Sequence, residues 1–386
     1  MLDRQLIDHE FSDISDVIFL NVASVVIPPK SVQSAYIGFL TNYIETCSKT
    51  VLEDAWKIVD SARQNVARLI NSDASEIAFV KNTTEGIGIM ASGYPFEPGE
   101  NVIVVDQEHP ANLYAWINLQ NKGVKLKIVG SDRFDINIRD IENAIDQHTR
   151  AISISAVQFA SGVYSDLEKL GGICEDSGLL FVVDGIQALG RLNIDVRKMK
   201  IDYMACGGHK GLLATLGAGF VYCRESVARK IVPPYACYQS ITSNAESPTT
   251  ARNLSKLDWY ENARRFEAGN LNYAGIAAIN EGVKLINGLG IAAIEKYILE
   301  LQDLLCDGIK DLPFALRTPL DREKRSGIIC IGYPKRIEPL LKNILDKYKI
   351  LVTYRDSYIR ISINFYNTKH QVHQVVKALH EAAQLV

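Results

Sequence analysis

The chain lacks an apolar run that could cross a membrane. A span needs about eighteen or more uncharged residues, and the uncharged stretch Ala151 to Ser165 holds Ser and Gln and stops at Asp166. The start carries Asp3, Arg4, Asp8, His9 and Glu10, so a basic-then-apolar leader is missing too. No one sign of charge prevails: Lys plus Arg is 42 against Asp plus Glu at 45, a net of −3. That balance removes the electrostatic case for a general nucleic-acid binder. Cysteine is sparse and scattered. The seven, at 47, 174, 206, 223, 237, 306 and 330, form no CxxC and no Cys/His cluster. This argues against a disulfide framework and a structural zinc. Internal repeats and low-complexity segments are absent as well. The expectation is a cytoplasmic protein with a small-molecule substrate, no metal, no membrane and no nucleic acid.

What is present is an ordinary globular composition, 47% hydrophobic and 23% charged over 386 residues. Two domains fit that length. Between residues 77 and 222 short apolar runs alternate with amphipathic stretches. The runs are Ile77–Val80, Val102–Val105, Leu126–Val129, Ala151–Ser155, Leu179–Val183, Tyr203–Cys206 and Gly219–Tyr222. Helix-like segments lie between several of them, at Ile87–Ala91, Ala111–Asn121, Ile138–Ile145 and Leu167–Ser177. Such alternation predicts a mostly parallel sheet with helices on both faces. Residues 235–262 read as a long polar excursion. A helix-like run then extends from Ala274 to about Leu305, broken at Gly288–Gly290. Strand signals return at Ile328–Gly332, Ile350–Thr353 and Ile359–Ser362, and Gln371–Leu385 reads as a last helix. The expected division is a large domain over 16–265 and a smaller α/β domain over 266–386, with residues 1–15 packing on the latter.

Ligands of open α/β sheets bind outside the C-terminal ends of the strands, so the residues directly after each run matter. Asp184 and Gln187 follow one run, where a carboxylate can face a cationic ring nitrogen or a metal, or simply cap a helix. Gly207-Gly208-His209-Lys210 follows another. A partly desolvated lysine there has a lowered pKa and a free amine for a Schiff base. His109 follows a third, able to stack on an aromatic ring or to be a structural histidine. Asn82-Thr83-Thr84-Glu85 opens a helix after the first run, with the look of a capping box and of a phosphate site at a helix start. Each signal is weak alone. Together they supply the parts that hold pyridoxal 5′-phosphate (PLP).

The sequence resembles the fold type I PLP enzymes of the class V aminotransferase and cysteine desulfurase-like family, leaning to its isopenicillin N epimerase-like branch. The resemblance runs from about Leu20 to Leu379. It is carried by Asn82-Thr83-Thr84-Glu85-Gly86, Glu108-His109-Pro110-Ala111-Asn112, Val183-Asp184-Gly185-Ile186-Gln187, Gly208-His209-Lys210, Arg265-Phe266-Glu267-Ala268-Gly269-Asn270, and Arg360-Ile361-Ser362 before Phe365-Tyr366-Asn367-Thr368. It implies a large domain with a mostly parallel seven-stranded sheet and a smaller C-terminal α/β domain. Lys210 is then the Schiff-base lysine and proton shuttle, and Asp184 the partner of the ring nitrogen. Gln187 would bond the phenolic oxygen, and His109 would stack on the ring. Thr83, Thr84 and His209 would hold the phosphate. Asn270 would reach the phosphate of a neighbouring subunit, which implies a homodimer. Arg360 would clamp the substrate α-carboxylate, as a guanidinium suits. The chain departs from the family at Gly207, commonly Ser, and at Gly211, commonly Trp. With Ala214-Thr215 in place of the common Gly-Pro, the second change implies a smaller wall beside the lysine, and so a roomier pocket or an altered lysine mobility.

A desulfurase needs a nucleophilic cysteine on a loop shortly before the carboxylate-binding arginine. Here Leu351 to Ile359 leads straight into Arg360 with no cysteine and no long loop. Cys330 reads as a core strand residue and Cys206 as a small buried hydrophobe. Class V transamination of an amino acid is therefore the reading placed first. β-Elimination or C–S lysis, and epimerisation, stay open behind it, because Lys210 can begin all three. Desulfuration and a non-catalytic PLP-fold protein come last. A Rossmann nucleotide site is not indicated, since Gly86-Ile87-Gly88 lacks the third glycine. Tyr354, Arg355, Gln158 and Phe159 are further pocket candidates, with packing the stronger expectation for the two aromatics.

Overall fold

A computed structural model describes residues 2–14, 16–132, 134–242, 257–319 and 321–384. Part of the polar excursion, 243–256, lies outside the described residues. The main sheet has seven strands: β1 (Ile77–Val80), β2 (Asn101–Val105), β3 (Lys125–Val129), β4 (Thr149–Ser155), β5 (Leu180–Asp184), β6 (Tyr203–Gly207) and β7 (Gly219–Cys223). All were expected from the apolar runs. Their order is β1-β7-β6-β5-β4-β2-β3. Only β7 is antiparallel to its neighbours, β1 and β6. Two reversals leave β1 pointing the same way as β2, β5 and β6, so their C-terminal ends share one edge. Strands β2, β5, β6 and β7 are buried at every residue, as burial on both faces requires. The edge strand β3 is not.

The helices that frame this sheet are α1 (Lys30–Glu45), α2 (Val51–Ile70), α3 (Thr83–Gly93), α4 (Pro110–Asn118), α5 (Leu167–Ser177), α6 (Tyr273–Leu289), α7 (Ile291–Ile309) and α8 (Lys369–Ala383). The long helix-like run after 273 is indeed two helices, parted at Gly290 with φ +82°. Helix α6 lies against α1 and α2, and α7 against α8. The sequence reading assigned nothing before Ile77. Helix α1 exposes Ile37, Leu40 and Ile44, which blurs the apolar period that would have announced it. Among the described residues no helix is long and apolar enough to cross a membrane.

The smaller sheet has order β10-β11-β9-β8, from β8 (Ala315–Leu316), β9 (Ile328–Gly332), β10 (Thr353–Arg355) and β11 (Tyr358–Ser362). One strand expected over Ile350–Thr353 is split. Ile350 and Leu351 pair with Ile18 and Phe19, and the chain changes partner before β10. The N-terminal segment then threads between the two sheets. Leu20 N–H donates to Leu351 O (3.0 Å), Ala23 N–H to Ser362 Oγ (3.0 Å) and Val26 N–H to His209 O (2.9 Å). Phe11 packs on Tyr366 at a ring distance of 4.6 Å. These contacts bring Ala23 and Ser24 to the shared edge of the main sheet.

Candidate active site

At that edge lies a cavity of about 330 Å³. Its lining includes Ala23, Ser24, Thr83, Thr84, His109, Phe159, Asp184, Gln187, His209, Lys210, Arg355 and Arg360. All the catalytic, cofactor and substrate residues expected from the sequence are there except Asn270, which was expected to serve a neighbouring site, while the further candidates Tyr354 and Gln158 are absent from the lining. A larger groove of about 680 Å³ runs past Asp135, Tyr164 and Lys324. Its Lys324 is tied to Asp135 at 2.7 Å, and none of the candidate site residues singled out from the sequence lines it.

Asp184 ends β5 and is 1% exposed. Its Oδ1 accepts from Ile186 N–H at 3.0 Å, a turn rather than the helix cap considered from sequence. Its Oδ2 is buried with no partner. Burial raises its pKa, Glu108 adds to the rise, and the Ile186 N–H and Lys210 oppose it. Gln187 donates through Nε2 to Ala23 O at 3.0 Å and leaves Oε1 buried and unpaired. Buried polar atoms are nearly always bonded. Two orphans facing one cavity fit a polar ring placed between them, with the amide orientation free to invert.

Lys210 is 8% exposed. Burial lowers its pKa, Arg360 and Arg355 lower it further, and Asp184 pulls the other way. It starts a turn closed by Leu213 N–H to Lys210 O at 3.0 Å. Leu213 sits at φ +65°, a strain of roughly 1–2 kcal/mol for a residue with a side chain, offset by complete burial of that side chain. The extra room expected beside the lysine is not found. A Cβ at Gly211 would lie 2.1 Å from Leu189 O, and one at Gly190 2.1 Å from Gly211 O. The loops after β5 and β6 touch backbone to backbone, so no side chain fits at 211. At Gly207 the space is less strict, since a Cβ there would meet only side-chain atoms, Ile186 Cδ1 at 3.1 Å and the His209 ring at 3.2 Å.

His109 caps α4, its Nδ1 accepting from Ala111 N–H at 3.1 Å. Burial and then Lys210, Arg355 and Arg360 bring its pKa down to about 4, so the ring is neutral. Its base is anchored by fully buried Glu108, which accepts from Ser155 N–H, Ser155 Oγ, Asn112 Nδ2 and Gln158 Nε2 at 2.6–2.7 Å. Gln158 is therefore a support behind the wall, not a lining residue. Asn82 Oδ1 caps α3 through Glu85 N–H, but the Glu85 carboxylate reaches Lys81 N–H rather than closing a box on Asn82. Thr83 Oγ1 is occupied by Gly207 N–H at 3.0 Å. Thr84 lies at the open helix start, where N–H groups lack intrahelical partners. His209 is beside it, its pKa down to about 4 through burial and then Lys210.

The opposite wall is cationic. Arg360 donates to Phe159 O (2.9 Å) and Ser24 Oγ (2.8 Å) and has no carboxylate partner among the described residues. Burial and then Arg355 bring its pKa down to about 10. Phe159 meets His109 edge to face at 4.9 Å and carries Arg355 over its ring at 5.3 Å. The packing expectation thus fails for Phe159 and holds for Tyr354, which faces Lys342 instead. None of the seven cysteines lines the cavity. Cys330 lies on β9 with Sγ 3.2 Å from Ala160 O, and burial raises its pKa to about 11. Cys206 is buried within β6, and its thiol pKa is pushed well up.

The chain matches the description Aminotransferase class-V over residues 18–375. It belongs to the class-V aminotransferase family. As a family member it is a PLP-dependent enzyme of the type I fold. It is 28% identical to a probable cysteine desulfurase of Methanothermobacter thermautotrophicus, over 95% of each chain. It is 29% identical to an uncharacterized aminotransferase of Schizosaccharomyces pombe, over 83% of this chain and 81% of that one. An apo cysteine desulfurase of Thermococcus onnurineus NA1 superposes with a TM-score of 0.89 at 24% identity, covering 100% of this chain and 99% of that one. These relatives bear desulfurase and aminotransferase names. None of them points to the isopenicillin N epimerase-like branch.

One placement in this class-V enzyme escaped the sequence reading. Ala23 and Ser24 line the cavity although they lie far from every motif, and nothing local marks them. Asn270 is exposed outside the cavity, beside a separate hollow with Lys81, Glu85 and Phe266.

Proposed function

We propose that this class-V enzyme removes the Cα proton of an amino acid and expels a sulfur-bearing group from Cβ, without passing that sulfur to a cysteine of its own. One observation carries the reading. The cavity offers an amine, a carboxylate and two guanidinia, but no thiol. The desulfurase-named relatives bring sulfur chemistry forward, ahead of the transamination placed first from sequence. The missing thiol directs the sulfur to solution.

In this reading Lys210 would hold the cofactor through its aldehyde until the substrate amine displaces it, and Asp184 would hold the ring nitrogen. Gln187 would hold the phenolic oxygen, and His109 would support the ring. The Thr83–Thr84 helix start and His209 would hold the phosphate. Bound there, PLP supplies an electron sink for the pair released at Cα. A carboxylate about 3 Å from a pyridinium favours the charged ring by roughly 5 kcal/mol at an effective dielectric of about 20, before desolvation. Asp184, its pKa raised by burial, would be held ionised beside such a cation. Lys210, with its pKa lowered by burial, accepts the Cα proton as a free amine. Arg360 holds the α-carboxylate and fixes which bond at Cα faces the lysine. The Cβ–S pair leaves with sulfur, and water completes release of pyruvate and ammonia. Asn270, turned away from its own cavity, fits a homodimer in which it reaches the neighbouring site.

The test supplies L-cysteine, L-cystine and L-alanine and follows keto acid, ammonia and released sulfur. Keto acid with equal ammonia and sulfur supports elimination. Keto acid without ammonia supports transamination, the second reading, which the aminotransferase-named relative favours. A persulfide trapped on the chain overturns both. Lys210→Ala should lower turnover by on the order of a thousandfold or more, with circular dichroism unchanged.

A further inference from the structure

The cavity holds more cation than one substrate carboxylate can use. Arg360 is 1% exposed and locked by Phe159 O and Ser24 Oγ. Arg355 sits five residues earlier, across the β10–β11 hairpin, where Arg355 pairs with Tyr358 and Thr353 with Arg360. It lines the same cavity. Its guanidinium lies over Phe159, the ring that also meets His109. Among the described residues no carboxylate lies within ion-pair distance of it. The one acid in the lining is Asp184, which is 1% exposed and is not among the ion-pair partners of Arg355. Arg355 is exposed at the cavity mouth, so its charge has little desolvation cost until a ligand covers it. An aromatic shelf pre-orients the planar guanidinium and leaves its N–H edge open for an anion.

We infer that Arg355 is a second anion contact, so that the preferred substrate carries an acidic group on its side chain besides the α-carboxylate. The inference rests on the proposed reading of the cavity as an amino-acid site. In β-elimination the group at that end is the one that departs. A guanidinium there favours a leaving group that already bears charge, such as a thiol with a carboxylate or sulfonate attached. The two arginines then read the two ends of one molecule, and the spacing between them selects its length. A neutral side chain leaves Arg355 covered without a partner, which disfavours it.

The first experiment titrates the holoenzyme with length-matched acids, succinate against butyrate and glutarate against valerate. Cofactor absorbance and calorimetry both report binding. A dicarboxylate should bind on the order of tenfold to a hundredfold tighter than its monocarboxylate match. In Arg355→Gln that ratio should fall to about one, and Arg355→Lys should keep part of it. Ratios are insensitive to a general loss of folded protein. Equal binding of both acids by the natural chain overturns the inference, as does an unchanged ratio in Arg355→Gln. Turnover of S-carboxymethyl-L-cysteine and S-sulfo-L-cysteine against neutral S-ethyl-L-cysteine then tells a carboxylate from a sulfur oxyacid. A chain that neither takes up PLP nor responds to monocarboxylates breaks the reading of the site and the inference with it. A chain that does both yet ignores the second acid breaks the inference alone.

Discussion

The two walls of the cavity are built on opposite plans. The wall from the main sheet places its groups at strand ends. Asp184 closes β5, Lys210 follows β6, and His109 caps the helix after β2. Each is fixed by backbone hydrogen bonds or touching loops, and two polar atoms are left unpaired toward the cavity. The wall from the small sheet and the N-terminal segment presents guanidinia held by carbonyls, hydroxyls and a ring, with no ion pair among the described residues. A pre-set wall with orphaned atoms suits a resident cofactor. A cationic wall with open N–H edges suits an anionic molecule that comes and goes.

That contrast can be broken by experiment. The largest effect after Lys210 is expected from Asp184→Asn. Losing the charge beside the ring nitrogen should lower kcat by roughly a hundredfold or more and shift the cofactor absorbance. Arg360→Gln should raise KM by about tenfold to a hundredfold, from the loss of a charge-assisted contact, with the cofactor absorbance in place. If Arg360→Gln disturbs the absorbance as Asp184→Asn does, the two walls do not act separately. The smallest effect is one of pH. His109 and His209 both have pKa values near 4 in the folded chain, below the roughly 6.5 of an unfolded histidine. The unfolded chain therefore binds more protons between those values, and stability declines as pH falls from about 6.5 toward 4. Urea denaturation at pH 7 and pH 5 measures the slope, which His109→Gln should flatten.

Much of the main-sheet wall is legible in the chain because its residues follow apolar runs directly. A strand end and the few residues after it are local, so Asp184, Lys210, His109 and Thr84 could be assigned from order alone. The other wall is legible at Arg360, through its resemblance to a family motif, and Arg355 and Phe159 stand only as candidates among neighbours that do not line it. Ser24 lies in an unremarkable Asn-Val-Ala-Ser-Val run and reaches the cavity because Ile18–Phe19 pairs with Ile350–Leu351, a contact between chain ends. Gly211 reads as extra room and proves to be the reverse, since the space is filled by Leu189 backbone from another loop.

The sequence by itself determined the seven-stranded α/β plan, the family and the four strand ends that line one cavity. These rest on periodicity and on residues a few positions apart, and such information is written along the chain. Tertiary structure alone decided that Arg355 and Phe159 face the cavity, that Gln158 stands behind its wall, and that Ala23 and Ser24 join the lining. Those facts depend on which side of a strand or hairpin meets which distant segment, and long-range pairing leaves no local mark in the order of residues.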